Sequence, residues 1–161
     1  MKAGVMKSRI GLLALALFLL AAPLIGTAED IPAGAWAGTW PASNTKSKFP
    51  GPAPQIDRVT IQPDGLIAVH VVSSDGKIAD WSYKGQVGQF VSVQGRDNVT
   101  VKVTKVSDHR FNQVWHAKGK FSKSHAVLSK DGKTQTFHAA PGKDKDGKPF
   151  QEIVVYEKQV S

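Results

Sequence analysis

The sequence predicts an all-β protein, an antiparallel up-and-down meander that closes into a β-barrel of about 8–10 strands. Three observations predict it: apolar and polar residues alternate in short runs from residue 57 onward, no stretch keeps a helical period, and four Asp-Gly pairs separate the runs. Asp-Gly between such runs is typical of tight hairpin turns. Because a long meander leaves exposed edges unless it closes, we expect a barrel, with a β-sandwich as the alternative.

Residues 1–28 have the three parts of a secretory signal peptide. Basic residues precede an apolar run over residues 10–25, and small residues follow at 26–28. The run is short for a membrane span and contains Pro23, so we expect cleavage rather than an uncleaved anchor. The sequence therefore predicts export, to the periplasm or out of the cell, with residues 29–161 forming a single β-barrel domain.

The composition restricts the expected partners. Residues 1–28 hold three of the 21 basic residues and none of the 13 acidic ones, which leaves 18 against 13 and a net charge of +5. The remaining lysines are scattered beside glycines and acids, which is typical of solvated turns rather than of a nucleic-acid-binding stripe. The absence of cysteine excludes disulfides and a lipid-anchored N-terminus. We expect no nucleic-acid partner and no stable membrane anchor after cleavage; a protein partner stays open.

The elements follow in order along the chain. Residues 29–37 are small and turn-prone, and four prolines predict an extended loop over residues 41–56. The predicted strands are the short runs at 36–40, 57–62, 66–73, 77–84, 88–94, 98–106, 110–118, 121–129, 134–140 and 149–158.

The Asp-Gly turns also predict which side chains face the interior. If both are two-residue turns, pairing outward from Asp64-Gly65 places Val59 opposite His70, and pairing from Asp75-Gly76 places His70 opposite Trp81. One face then gathers aromatic and small apolar side chains with a single histidine: Val59, Ile61, Ala68, His70, Val72, Ala79, Trp81 and Tyr83. We expect this face to line the interior, although the opposite face also carries valines.

Gly38-Thr39-Trp40 on the first predicted strand is a Gly-x-Trp motif that resembles the opening of lipocalins and other calycins. There the glycine allows close packing and the tryptophan plugs one end of the barrel, so Gly38 and Trp40 are the implied motif residues. A late basic side chain stacks on that tryptophan, and Lys158 is its counterpart by position. Gly34-Ala35-Trp36 is a second match just upstream.

A wider resemblance covers most of residues 29–161. The segments GTW, SKFPGPAP, the repeated DGK turns and VVYEKQ are similar to those of exported bacterial lipocalin-like proteins. The resemblance implies a secreted or periplasmic calycin-type β-barrel. It implies no substrate and no catalytic residue.

His70 is the polar residue expected inside, beside Trp81 and Tyr83. A buried neutral histidine can bond a ligand carboxylate or, in barrels that resemble nitrobindins, coordinate haem iron. The alternative, which we favour, is a core histidine satisfied by the Tyr83 hydroxyl or by water, so no cofactor is expected. If the interior binds a ligand, its predicted contacts are His70, Trp81, Tyr83, Val59 and Ala68.

Other chemistry finds little support in the sequence. His125 is predicted opposite His138, with His116 on the same face, but that face is otherwise polar, so we expect exposed imidazoles and no metal site. Nucleophile-elbow, zinc-protease and phosphate-loop motifs are absent from the sequence. We therefore expect no enzyme.

Two functions remain. The first is an exported, non-catalytic binding protein for a small apolar or amphipathic ligand. The alternative is an envelope or secreted interaction or inhibitor protein with a filled core, which acts through loops such as 41–56. The volume of the interior discriminates between them.

Overall fold

The computed structural model describes residues 34–84 and 87–160. In these residues a 3₁₀ turn, Gly34–Trp36, precedes twelve strands. The strands are β1 (Gly38–Pro41), β2 (Ile56–Ile61), β3 (Ile67–Val72), β4 (Ile78–Tyr83), β5 (Phe90–Ser92), β6 (Val99–Ser107), β7 (Arg110–Ala117), β8 (Lys120–Leu128), β9 (Thr134–His138), β10 (Gly142–Lys143), β11 (Pro149–Phe150) and β12 (Ile153–Glu157). The predicted signal peptide lies outside the described residues. Within them, no helix has the length and apolar character needed to cross a membrane.

The strands form an antiparallel meander that closes on itself. β1 to β4 pair in chain order in one sheet, and β5 to β9 continue in the other, which ends with β12. At one seam, Ser82 and Gln94 exchange main-chain hydrogen bonds of 3.0 and 2.8 Å. At the other, Ala42 bridges to Tyr156, and the Ser43 N–H donates to the Val155 carbonyl at 2.7 Å. The predicted barrel is therefore confirmed, with β10 and β11 as a small hairpin between β9 and β12.

The first two hairpins have a different register from the one predicted. Gln62 and Leu66 close a three-residue loop, in which the Gly65 N–H donates to the Gln62 carbonyl at 3.0 Å. Ile61 therefore pairs with Ile67 instead of Ala68. Gly65 has a φ of 83°, while Asp64 is not among the described residues with positive φ, so the turn is a type I turn with a glycine bulge.

The same one-residue difference recurs at Ser74-Asp75-Gly76, where Val72 pairs with Ile78. A one-residue shift exchanges the faces of a strand. On β3 the inward residues are therefore Ile67, Val69 and Val71, and the prediction that Ala68, His70 and Val72 face the interior is wrong. β2 and β4 keep their predicted inward faces, because the register of each differs from the prediction by one residue relative to β3.

The later hairpins keep the predicted pairing because their loops have an even number of residues. Lys118 and Gly119, with φ of 50° and 72°, form a two-residue turn that pairs Ala117 with Lys120. Around Asp131-Gly132 the loop has four residues, since the Ser129 N–H donates to the Thr134 carbonyl at 2.8 Å. His125 accordingly lies opposite His138.

The N-terminal segment closes one end of the barrel, which we call the capped end. Trp40 is fully buried, and its indole N–H donates to the Trp36 carbonyl at 2.8 Å. Lys158 Nζ lies 5.1 Å from the Trp40 ring centroid and donates to the Ala35 carbonyl at 3.2 Å. Gly38, with a φ of 140°, lies under the Lys158 side chain. These contacts are those that the Gly-x-Trp resemblance implies for Gly38 and Trp40.

The far end holds the other set of turns, because successive turns of a meander alternate between the two ends. The segment 42–55 that joins β1 to β2 lies at this end, with the turns 73–77, 94–98 and 118–119. The 42–55 segment also runs along β12, where Lys48 and Ile153 exchange main-chain hydrogen bonds of 2.7 and 3.0 Å. Residues near the start of β2 and β12 therefore lie toward the far end.

Candidate functional site

The barrel interior contains a cavity of about 320 Å³. Inward-facing residues from both sheets line it, and most of them are apolar or aromatic. Its volume lies at the lower end of the range of small-molecule sites, roughly 300–1,000 Å³. The interior is thus large enough for a small ligand.

Three aromatic rings form one wall of this cavity. The ring centroids of Trp81 and Trp115 are 5.4 Å apart at an interplanar angle of 89°, and those of Tyr83 and Trp115 are 5.8 Å apart at 85°. Such edge-to-face pairs are favourable because the ring edge is positive and the ring face is negative. The wall is therefore rigid, apolar and suited to contact with a flat or aliphatic ligand body.

A buried polar network supports that wall. Gln113 donates from Nε2 to the Tyr83 hydroxyl at 2.9 Å, and the Ser124 hydroxyl donates to Gln113 Oε1 at 3.0 Å. The Trp115 indole N–H donates to the Ser124 hydroxyl oxygen at 3.0 Å. Burial raises the pKa of Tyr83, so the phenol stays neutral. These polar groups are paired with one another, which fixes the orientation of the rings.

A second polar group of residues lines the cavity near the seam between β1 and β12. Asp57 is the second residue of β2, and the Tyr156 hydroxyl donates to its two carboxyl oxygens, each at 3.4 Å. Tyr156 pairs across β12 and β9 with Gln135. Glu152 precedes β12 and shares an inward face with Val154 and Tyr156. Closure of the barrel brings these residues together.

Burial controls the ionisation of this second group. It raises the pKa of Asp57 from 3.8 to about 6, against the lowering effect of the Tyr156 hydrogen bond, and the nearby Glu152 raises the Asp57 pKa further. Burial also raises the pKa of Glu152. Burial and the adjoining Asp57 raise the pKa of Tyr156, so its hydroxyl stays protonated and donates. Two carboxyl groups therefore share a poorly solvated part of the cavity.

Gln135, which pairs with Tyr156 across β9 and β12, is a further buried polar residue of the cavity lining. Its side chain lines the cavity and is only 5 % exposed, and Nε2 has no hydrogen-bond partner among the described residues. Buried polar groups in folded proteins are nearly always paired, so an unpaired amide beside a cavity indicates a place for a ligand atom or an ordered water.

The structure brings together three of the five predicted ligand contacts. Trp81, Tyr83 and Val59 line the cavity. The predicted interior positions of His70 and Ala68 are wrong: both lie on the outer face of β3 and border an outer depression. The imidazole of His70 contacts the exposed carboxylate of Asp80 on β4, at 2.5 Å between Nδ1 and Oδ1, and the Tyr83 hydroxyl plays no part.

Sequence reasoning missed the second polar group as a site. Asp57 alternates with Val59 and Ile61, so the correct face of β2 already placed it inside. Glu152 alternates with Val154 in the same way. Their proximity depends on the β1–β12 seam, which pairs residues about a hundred positions apart and has no local signal.

The histidines on the outer face do not converge. His125 and His138 stack with ring centroids 4.4 Å apart, while His116 packs on Phe121 at 4.5 Å. Over residues 34–84 and 87–160, no three potential metal ligands lie together.

Comparisons with known proteins address the fold. No family model matches the chain, and no curated protein matches its sequence. Crystal structures of two substituted variants and the wild type of the fluorescent protein UnaG are similar, with TM-scores of 0.56, 0.54 and 0.53 and identities of 15, 16 and 13 %. The likeness covers 80, 78 and 79 % of this chain and 99, 97 and 99 % of the UnaG chains. It supports a calycin-type β-barrel fold.

Proposed function

We propose that the protein binds a small apolar or amphipathic ligand inside its barrel, without catalysis, after export to the periplasm or out of the cell. One observation carries the binding proposal: the interior cavity of about 320 Å³, with a mainly apolar lining and a few polar groups. Burial of apolar surface supplies affinity in such sites, and the polar groups orient the ligand. The export part of the proposal rests on residues 1–28.

The alternative, a protein with a filled core that works through its loops, depends on an interior occupied by side chains. A cavity of this size does not fit that premise. The proposed absence of catalysis rests on the sequence, which has no catalytic motif, and on the pairing of the polar groups beside the aromatic wall. The Ser124 hydroxyl donates to Gln113 and accepts from Trp115, and Gln113 donates to Tyr83, so these groups hold the aromatic rings and Ser124 has no adjoining base among them.

The binding proposal is tested by filling the cavity. Ala126 lines the cavity, so Ala126→Leu adds volume inside it, whereas Ala68→Leu adds the same atoms to the outer face of β3. Titration with octanol, followed by tryptophan fluorescence and calorimetry, should show saturable binding that Ala126→Leu weakens about tenfold or more. Trp81 and Trp115 report on the cavity directly.

Ala68→Leu is the matched control and should bind octanol like the unchanged protein. Equal affinities for all three proteins, or no saturable binding by the unchanged protein, would contradict the proposal. Far-ultraviolet circular dichroism checks that both variants keep the β-structure.

A further inference from the structure

The polar groups that line the cavity divide into two sets. The first set, Tyr83, Gln113 and Trp115, is paired internally through Ser124. The second set has acids and an amide that the protein leaves incompletely paired. Because unpaired buried polar groups are costly, the second set is where a ligand gains most from polar contacts.

In the second set, Asp57 and Glu152 supply two carboxyl groups, while the unpaired Nε2 donor of Gln135 lies nearer the capped end, at the start of β9, and takes no part in binding a cation. Asp57 and Glu152 both lie toward the far end, since each stands at or just before the start of a strand that leaves that end. Tyr156 donates to Asp57 from the seam side. Burial, Tyr156 and Glu152 set the ionisation of Asp57, and burial sets that of Glu152, with no cation among these influences.

One cation, Arg96, lines the cavity among the described residues; it also lies at the far end, but on the opposite side of the barrel from Asp57 and Glu152. It belongs to the turn between β5 and β6, across the barrel from the β1–β12 seam. Its guanidinium lies over the Trp81 ring, 5.0 Å from the centroid, and the side chain is exposed. In the described part of the chain no cationic side chain forms an ion pair with Asp57 or Glu152, so the charge between them is negative.

We propose, on the basis of the binding function above, that the ligand is an amphipathic molecule with a cationic head group, a protonated amine or amidinium. The head group lies between Asp57 and Glu152 toward the far end, and the apolar body lies against Trp81 and Trp115. Charge-assisted hydrogen bonds from an N–H cation to carboxylates are strong when both are shielded from water. An anionic head group at the same place would meet two like charges.

The experiment compares three probes with the same tail: octylamine, octanoate and octanol. Calorimetry near pH 7.5 should show octylammonium binding about tenfold or more tightly than octanol, with octanoate the weakest. Saturable octanol binding with octanoate equal to or tighter than octylammonium would overturn the cationic head group but leave the binding function intact. Saturable binding of none of the probes would instead contradict the binding function itself.

Substitutions test whether Asp57 and Glu152 cause the tighter binding of octylammonium. Asp57→Asn with Glu152→Gln should remove the advantage of octylammonium over octanol, measured as the ratio of the two affinities within the same variant. Asp80→Asn, which neutralises an acid on the outer face beside His70, is the matched control and should keep the full advantage. If the double variant keeps the advantage, the two carboxyl groups do not hold the cation and the inference is wrong.

The pH dependence gives a second readout. Lowering the pH from about 7.5 to 5 protonates Asp57, whose pKa is about 6, and moves Glu152 toward its neutral form. Tyr156 stays neutral and Arg96 stays charged over this range. Octylammonium affinity should therefore fall several-fold on acidification while octanol affinity stays level. Parallel profiles for both probes would also count against the cationic head group.

Discussion

Asp57 carries a cost for folding, because its carboxyl group is buried beside the acidic Glu152. Its pKa is about 6 in the folded protein and 3.8 as its ordinary value. Between these values the folded state binds more protons than the unfolded state, so the contribution of this group to stability is fully present below about pH 4 and declines as the pH rises through 6. Above that window the group destabilises the fold by up to about 3 kcal/mol.

Asp57→Asn should therefore raise the free energy of unfolding at pH 8 by about 2–3 kcal/mol, and much less at pH 4. The amide keeps an acceptor for the Tyr156 hydroxyl and carries no charge to desolvate. Urea unfolding of both proteins at several pH values between 4 and 8 measures the difference.

A matched control is Asp64→Asn, the same replacement in an exposed turn. There a hydrogen bond from Lys84 lowers the carboxyl pKa, so no gain should develop as the pH rises. A pH-independent difference between Asp57→Asn and the unchanged protein would mean that Asp57 is well solvated, which would remove one support for the cation site.

At the scale of elements, the turns decide how much of the fold could be predicted. All ten barrel strands coincide with predicted runs, because alternation and Asp-Gly punctuation are local signals. The number of residues in each loop has no comparable local signal in the sequence. Asp-Gly can form a two-residue turn or the last two residues of a three-residue loop. In the three-residue loop the aspartate does not need a positive φ, and Asp64 has none.

The candidate site was predictable in part for the same reason. Trp81 and Val59 were correctly placed inside, since β2 and β4 shift together relative to β3. His70 was not, because its face depends on the parity of the loop at residues 63–65. Val69 and Val71 lie on the other face of β3 from His70. Their apolar side chains were the local signal for the correct inward face.

The packing of the cap over the barrel end depends on Gly38. A Cβ at this position would lie 2.9 Å from Lys158 Cε, and the φ of 140° is one that other residues rarely adopt. Gly38→Ala should therefore displace Lys158 from the Trp40 ring and lower the free energy of unfolding by about 2 kcal/mol. Urea unfolding followed by tryptophan fluorescence measures the loss.

Gly51→Ala is the control for the cap, because a Cβ there meets no atom within 4 Å and Gly51 has no positive φ in the restricted region. It should change stability by less than about 0.5 kcal/mol. Equal stabilities for Gly38→Ala and Gly51→Ala would show that the Lys158 side chain simply moves aside and that the cap does not depend on close approach.

At the scale of the whole molecule, the cavity exists because two sheets are held together along two seams. One seam, between β1 and β12, gathers the acids. The other, between Ser82 and Gln94, lies beside Trp81 and Arg96, which also line the cavity. Under the proposed function, a ligand that touches both sides of the barrel would favour the closed form over any form in which a seam opens.

The second seam depends on Gly95, which gives the last prediction. A Cβ on Gly95 would lie 2.4 Å from the Asp80 carbonyl oxygen, and its φ of 82° adds backbone strain. Gly95→Ala should cost about 3 kcal/mol or more, whereas Gly76→Ala, with a φ of 79° and open space around the Cβ, should cost only about 1 kcal/mol. Hydrogen exchange should show faster exchange at the Ser82 and Gln94 amides in Gly95→Ala than in Gly76→Ala. Unchanged protection at these two amides would mean that β4 and β5 stay paired through other contacts, and that closure of the barrel does not require the close approach at Gly95.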